Sequence, residues 1–118
     1  EIQPMASAGS SRMFDFAAKY TPGQTQYIVP AQIPSEIAAR LQDAGLRAHQ
    51  AVGCRHVSRA DFILAADGTP VILEVNTIPG FTATSLLPKA AACVGLSYED
   101  VCEELIGMAL ASHLVAAG

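Results

Sequence analysis

Four residues of this sequence have types and spacing suited to chemistry: the carboxylates Asp61 and Glu74, the amide Asn76 and the guanidinium of Arg59. Carboxylate and amide oxygens are hard ligands. Mg²⁺ prefers such donors, takes one or two carboxylates from a protein and fills its octahedron with water and the phosphates of a nucleotide. The elements that hold these residues read as a β-hairpin. Residues 59–64 and 71–76 are β-favouring runs, and the Asp67-Gly68 pair between them accepts positive φ. With Asp67 and Gly68 as the two turn residues, Asp61 faces Glu74 and Arg59 faces Asn76. Alternation then sets Arg59, Asp61, Glu74 and Asn76 on one face and Ala60, Phe62, Leu64, Val71, Leu73 and Val75 on the other.

Two carboxylates opposed on neighbouring strands, about 5.5 Å apart, repel by about 3 kcal/mol at an effective dielectric of roughly 20. Arg59 on the same face offsets this in an ion-pair network, or a divalent cation does; spacing alone leaves both readings open. Downstream, Gly80 permits close backbone approach, and a helix opening near Ser85 presents N–H groups and a positive dipole end that suit an anion. The plainer alternative makes Pro79-Gly80 a type II turn and Ser85 only a cap.

The remaining elements frame this segment. Residues 7–25 show no sustained period and read as a long loop or Ω-loop. Residues 26–29 read as a short strand. Pro34-Ser35-Glu36 opens a helix to about residue 52, with Ile37, Leu41 and Ala44 on its apolar face and Arg40, Arg47 and His49 on its solvated face. Two short helices are expected at the end. The first spans about 85–94, with Thr84 or Ser85 as N-cap, Pro88 in its first turn and Gly95 as its stop. The second is opened by Ser97 and Asp100.

Composition narrows the function classes. A chain of 118 residues is one domain at most, and 51% hydrophobic with 15% charged residues is apolar for a domain of this size, which points to a face meant to be covered. A net charge of −4 with seven basic residues offers no electrostatic footprint for nucleic acid or an anionic membrane. The apolar stretch 105–117 is interrupted by Gly107, Ser112 and His113 and falls short of the roughly 20 residues of a membrane span. Cys54, Cys93 and Cys102 lack the spacing of a disulfide frame or zinc knuckle, and are expected to be buried small hydrophobes in a reducing compartment. The chain opens at Glu1 without a signal peptide and reads as a piece of something longer.

Two strings are more specific than any of this. Glu74-Val-Asn76-Thr-Ile-Pro-Gly80-Phe-Thr-Ala-Thr-Ser85-Leu-Leu-Pro-Lys-Ala-Ala, preceded by Arg59-x-Asp61, resembles the signature of D-alanine:D-alanine ligases, which are ATP-grasp enzymes. Phe14-Asp-Phe-Ala-Ala-Lys19-Tyr20 is similar to that family's Ω-loop motif, and the likeness runs over residues 1–111. The resemblance implies an α/β (α+β) fold: a C-terminal ATP-grasp lobe with an antiparallel sheet and flanking helices. Residues 1–118 would be the C-terminal subdomain of a longer ligase whose N-terminal and central domains are absent.

The implied activity joins two D-alanines to D-alanyl-D-alanine through an acyl phosphate, for peptidoglycan in the cytoplasm. ATP would be co-substrate and Mg²⁺ or Mn²⁺ the cofactor. The implied roles are Asp61, Glu74 and Asn76 as metal ligands, and Arg59 and the Gly80 amide as stabilisers of the tetrahedral oxyanion. Ser85 and the Leu86 amide would hold the acceptor carboxylate, Lys19 would reach the γ-phosphate, and Tyr20 would help shut the loop. Partners would be D-alanine, ATP, the remaining domains and a second copy in a homodimer, with no nucleic acid or membrane. Relatives that form the D-lactate ester tend to carry His where Tyr20 stands, which favours the dipeptide. Phe14 and Phe16 depart from the Tyr common in relatives. The family's donor-site glutamate, adenine contacts and phosphate-binding lysines have no match in this chain. A ligase with another acceptor, or a non-catalytic interaction module, are the rival readings.

Overall fold

Short β-ladders and amphipathic helices form where the local pattern calls for them, in two compact units, residues 1–32 and 33–118. The computed structural model describes residues 1–4 and 25–116; the expected Ω-loop, with Lys19 and Tyr20, lies outside them. In the first unit, β1 (Ile2–Pro4) pairs antiparallel with β2 (Thr25–Tyr27), Gln3 opposite Gln26. The ladder is extended by the Ile28 N–H, which donates to the Glu1 carbonyl at 2.9 Å. The expected 26–29 strand is therefore shifted by a residue or two.

The second unit opens with α1 (Ser35–Ala51), whose half-buried positions Ile37, Leu41, Ala44, Gly45 and Ala48 recur at helical spacing. This face lies on the hairpin of β3 (Arg59–Leu64) and β4 (Pro70–Asn76). Gly45 faces the Phe62 ring, which stands 3.9 Å from where a Cβ would be, and Ile37 Cδ1 reaches the hairpin loop beside Gly68. On the outer face Arg47 pairs with Asp43 at 3.0 Å, one helical turn away, as a solvated residue should. His49 departs from that expectation: it is half-buried, and its Nδ1 lies 2.8 Å from the Ser58 hydroxyl.

The hairpin register holds where the chemistry is and fails near the turn. Arg59 faces Asn76, Ala60 faces Val75 and Asp61 faces Glu74, but Phe62 faces Ile72 and Ile63 faces Val71. Val71 and Leu73 therefore do not join Phe62 on one face, contrary to the simple alternation. The cause is the loop. Gly68 N–H donates to the Ala65 carbonyl (2.9 Å), Ala65 N–H to the Thr69 carbonyl (3.0 Å), and Gly68 sits at φ 79°. This is a three-residue connection, a tight turn followed by a left-handed glycine, rather than a two-residue turn. The Asp67 carboxylate braces it by accepting the Thr69 N–H at 2.9 Å. The one-residue offset is absorbed between Asp61 and Phe62 by a bulge, with Leu73 as the unpaired residue.

Beyond β4, α2 (Leu86–Ala92) and α3 (Tyr98–Ala116) pack together. The stop between them is as expected: Gly95 at φ 84° donates its N–H to the Ala92 carbonyl, and Leu96 N–H reaches the Ala91 carbonyl. Ser97 and Asp100 then form a reciprocal capping box, with Asp100 N–H on the Ser97 hydroxyl (3.0 Å) and Ser97 N–H on the Asp100 carboxylate (2.8 Å). The last helix is 19 residues long, not short. Gly107 is tolerated within it, and Ser112 satisfies its hydroxyl on the Met108 carbonyl at 2.9 Å.

Among the described residues Val101 is the buried large hydrophobic, joined by Pro79 and Pro88. Most apolar side chains lie outside, among them Ile63, Val71, Ile72 and Leu73 of the hairpin, in keeping with a face meant to be covered. All three cysteines are free thiols, but Cys93 is exposed and the other two half-buried, so they are not core residues. No described helix is long and apolar enough to cross a membrane.

Candidate functional site

β3 and β4 carry Arg59, Asp61, Glu74 and Asn76 to the same end of the hairpin, on the side of the ladder where strict alternation survives. The Arg59 guanidinium ties the acids together. Its Nε and one terminal nitrogen make a bidentate pair with Asp61 at 2.8 and 2.9 Å, and that nitrogen also reaches Glu74 Oε1 at 3.3 Å. The hydrogen bond to Asp61 is the main reason the Arg59 guanidinium holds its proton more tightly than usual; burial opposes this, and the nearby charge of Glu74 adds to it. Glu74 is the open edge of the cluster, with 52% of its side chain exposed against 26% for Asp61. One guanidinium between two carboxylates leaves a surplus negative charge facing solvent.

Asn76 ends β4 and starts a turn, its Oδ1 accepting the Ile78 N–H at 3.0 Å. The amide oxygen keeps a second lone pair. Among the described residues no three His, Cys, Asp or Glu side chains gather as a metal cage would need. Two carboxylates and one amide oxygen instead fit a cation that draws the rest of its shell from water and phosphate, as Mg²⁺ does.

The turn delivers Pro79, which is buried, and then Gly80. Gly80 is not at positive φ, so the type II turn is ruled out. Its need is for space: a Cβ there would lie 3.1 Å from the Ser85 hydroxyl. Ser85 is the N-cap residue of α2, yet its side chain does not cap the helix. The hydroxyl turns back toward the loop, where it accepts the Thr82 N–H at 3.0 Å and lies 2.8 Å from the Thr82 hydroxyl. Leu86 follows as the first helical residue. Gly80, Ser85 and Leu86 are thus gathered in one loop-to-helix corner, one turn downstream of Asn76.

Two residues of this corner had no role in the sequence reading. Thr82 lies three residues before Ser85, a spacing at which short polar side chains often bond locally, so a signal was present. Tyr98 had none. From the start of α3 its hydroxyl donates to the Phe81 carbonyl at 3.0 Å, and its ring lies 4.9 Å from that of Phe81, tilted by 33°.

The known proteins to which this chain is similar are ligases. A curated D-alanine–D-alanine ligase of Anaeromyxobacter dehalogenans is 53% identical over 97 residues, covering 82% of this chain and 32% of the relative. The solved D-alanine–D-alanine ligase of Bacillus anthracis superposes with a TM-score of 0.75 at 34% identity, covering 94% of this chain and 34% of that one. The same enzyme complexed with ATP gives 0.66 at 35% identity, over 70% and 28%. The VanG D-Ala:D-Ser ligase of Enterococcus faecalis gives 0.72 at 37% identity, over 92% and 29%. The α+β architecture is that of these ATP-grasp ligases, and the chain spans about a third of the length of the relatives it matches. The family model described as "D-ala D-ala ligase C-terminus" matches residues 2–107, and the chain belongs to that family.

Proposed function

We propose that the chain is the C-terminal lobe of an ATP-dependent ligase that joins two D-alanines to D-alanyl-D-alanine for peptidoglycan. In this reading ATP phosphorylates the carboxylate of the first D-alanine, and the amine of the second displaces phosphate from the acyl phosphate. The observation that carries it is the cluster in which Arg59 bridges Asp61 and Glu74, one turn upstream of the Gly80–Ser85 corner. Asp61, Glu74 and the Asn76 amide would hold Mg²⁺ or Mn²⁺, which when bound supplies positive charge to the phosphates of ATP.

The other roles are those that the family resemblance implies. Arg59 carries a fixed positive charge at the cluster, and with the Gly80 amide it stabilises the oxyanion that develops when the amine attacks. Ser85, its hydroxyl already oriented by Thr82, and the Leu86 amide receive the acceptor carboxylate. Lys19 and Tyr20, assigned from their motif, would contact the γ-phosphate and help exclude water from the hydrolysable acyl phosphate. The donor site, the adenine contacts and further phosphate lysines would come from the rest of the ligase, which would assemble as a homodimer in the cytoplasm.

The test is Glu74→Gln in the complete ligase. Replacing a charged ligand by a neutral one of the same shape should lower dipeptide formation by orders of magnitude while leaving the melting temperature near that of the parent. Turnover close to normal would mean the hairpin acids are not the metal site. A second reading is a different acceptor, favoured by the likeness to the VanG D-Ala:D-Ser ligase at comparable identity. Rates with D-alanine, D-serine and D-lactate decide between them, and a preference for either of the last two would replace the dipeptide assignment.

A further inference from the structure

We infer that Tyr98 is a positioning residue for the acceptor subsite, holding the Gly80–Ser85 corner in register from outside it; this rests on the reading of Ser85 and Leu86 as the acceptor-carboxylate site. The chain of contacts is short. Tyr98 Oη donates to the Phe81 carbonyl at 3.0 Å and its ring packs on the Phe81 ring at 4.9 Å. Phe81 stands between Gly80, whose backbone abuts the Ser85 hydroxyl, and Thr82, whose N–H and hydroxyl fix that hydroxyl. Moving Phe81 therefore moves both neighbours that set the direction of the Ser85 oxygen.

Tyr98 is itself held firmly. It is the first residue of α3, between the Ser97 and Asp100 partners of the capping box, and α3 buries Val101 as it packs on α2. The helix start thus acts as a fixed post. The loop from Gly80 to Ser85, with Thr82, Ala83 and Thr84 exposed and Phe81 half-buried, is tied to that post by one hydrogen bond and one ring contact. A loop of this kind without its tie samples several arrangements, and a ligand that needs one of them binds more weakly in proportion to how seldom it occurs.

The experiment uses the complete ligase, with initial rates resolving the two D-alanine constants. Tyr98→Phe keeps the ring and removes the hydrogen bond. It should raise KM for the acceptor D-alanine about 2- to 10-fold, the size of one ordinary hydrogen bond, with KM for ATP, kcat at saturation and the melting temperature little changed. Tyr98→Leu, which also loses the ring, should raise the acceptor KM further. A merely structural tyrosine would lower the melting temperature or shift all constants together, and either result overturns the inference. Ser85→Ala is run alongside. If it raises the acceptor KM and Tyr98→Phe does not, the positioning role is wrong; if Ser85→Ala also leaves that constant unchanged, the acceptor site lies elsewhere and the reading beneath the inference falls too.

Discussion

His56 holds a left-handed backbone, φ 63°, in the turn that leads into β3, where the Val57 N–H closes on the Arg55 carbonyl at 2.8 Å. A residue with a Cβ at such a φ costs about 1–2 kcal/mol, whereas glycine adopts it freely at an entropic cost of about 0.5–1 kcal/mol. The His56 side chain is exposed, so no burial offsets the strain. His56→Gly should therefore raise stability by roughly 0.5–1 kcal/mol, read as an increase of a few degrees in melting temperature. A decrease would show that the imidazole makes a contact worth more than the strain. The strain was hidden from sequence reading, because nothing in Cys-Arg-His-Val announces a turn. Strand parity made Arg59 and Asp61 legible on one strand and Glu74 and Asn76 on the other, while their pairing came out as expected because the bulge cancels the extra loop residue. Tyr98 was not legible, because its partner Phe81 is distant in sequence and brought near only by the packing of α3.

At the level of elements, local signals proved reliable and inherited ones did not. Gly95 and the Ser97–Asp100 box act within a few residues, so the break between α2 and α3 could be read directly. The face assignment near the hairpin turn depended on loop length, and one extra residue in the loop displaced Val71 and Leu73 while the bulge protected the end that carries the acids. β1 was missed because three residues ending in proline carry almost no strand signal, and α3 is longer than the short helix expected there. The capping box makes its own prediction. The Asp100 carboxyl lies below the ordinary 3.8, chiefly through the hydrogen bond from the Ser97 backbone. A carboxyl lowered on folding adds stability above its unfolded value and loses it as pH falls through the folded one. Asp100→Asn should therefore be less stable than the parent by a constant margin over roughly pH 5 to 7, and the margin should close as pH drops below the ordinary aspartate value. Unfolding curves measured across that range check it, and a margin that persists unchanged into acid would show that the charge contributes nothing.

For the molecule as a whole, the balance between interior and exterior bears on what the lobe can do alone. Large apolar side chains are exposed along the hairpin, the loop after it and the last helix, with Leu73 at 59% and Ile78 at 87%, while Val101 is the buried one among those described. Patches of this kind on a monomer usually mark surfaces that another body covers. In the proposed reading the chain would supply only part of the chemistry, a metal and acceptor corner, with the donor D-alanine and adenine sites on the rest of the ligase. Holding both reactants and the phosphates in one water-poor geometry can lower the barrier of acyl transfer by roughly 7–11 kcal/mol, an effect that half a cleft cannot deliver. The isolated 118-residue polypeptide, purified and given ATP, Mg²⁺ and D-alanine, should therefore form no dipeptide above the enzyme-free blank. Addition of the remaining domains of a D-alanine–D-alanine ligase should be needed for turnover. Dipeptide formed by the polypeptide alone would mean that a complete nucleotide and donor site exists within these residues, and the division of labour proposed for the hairpin and the Gly80–Ser85 corner would have to be redrawn.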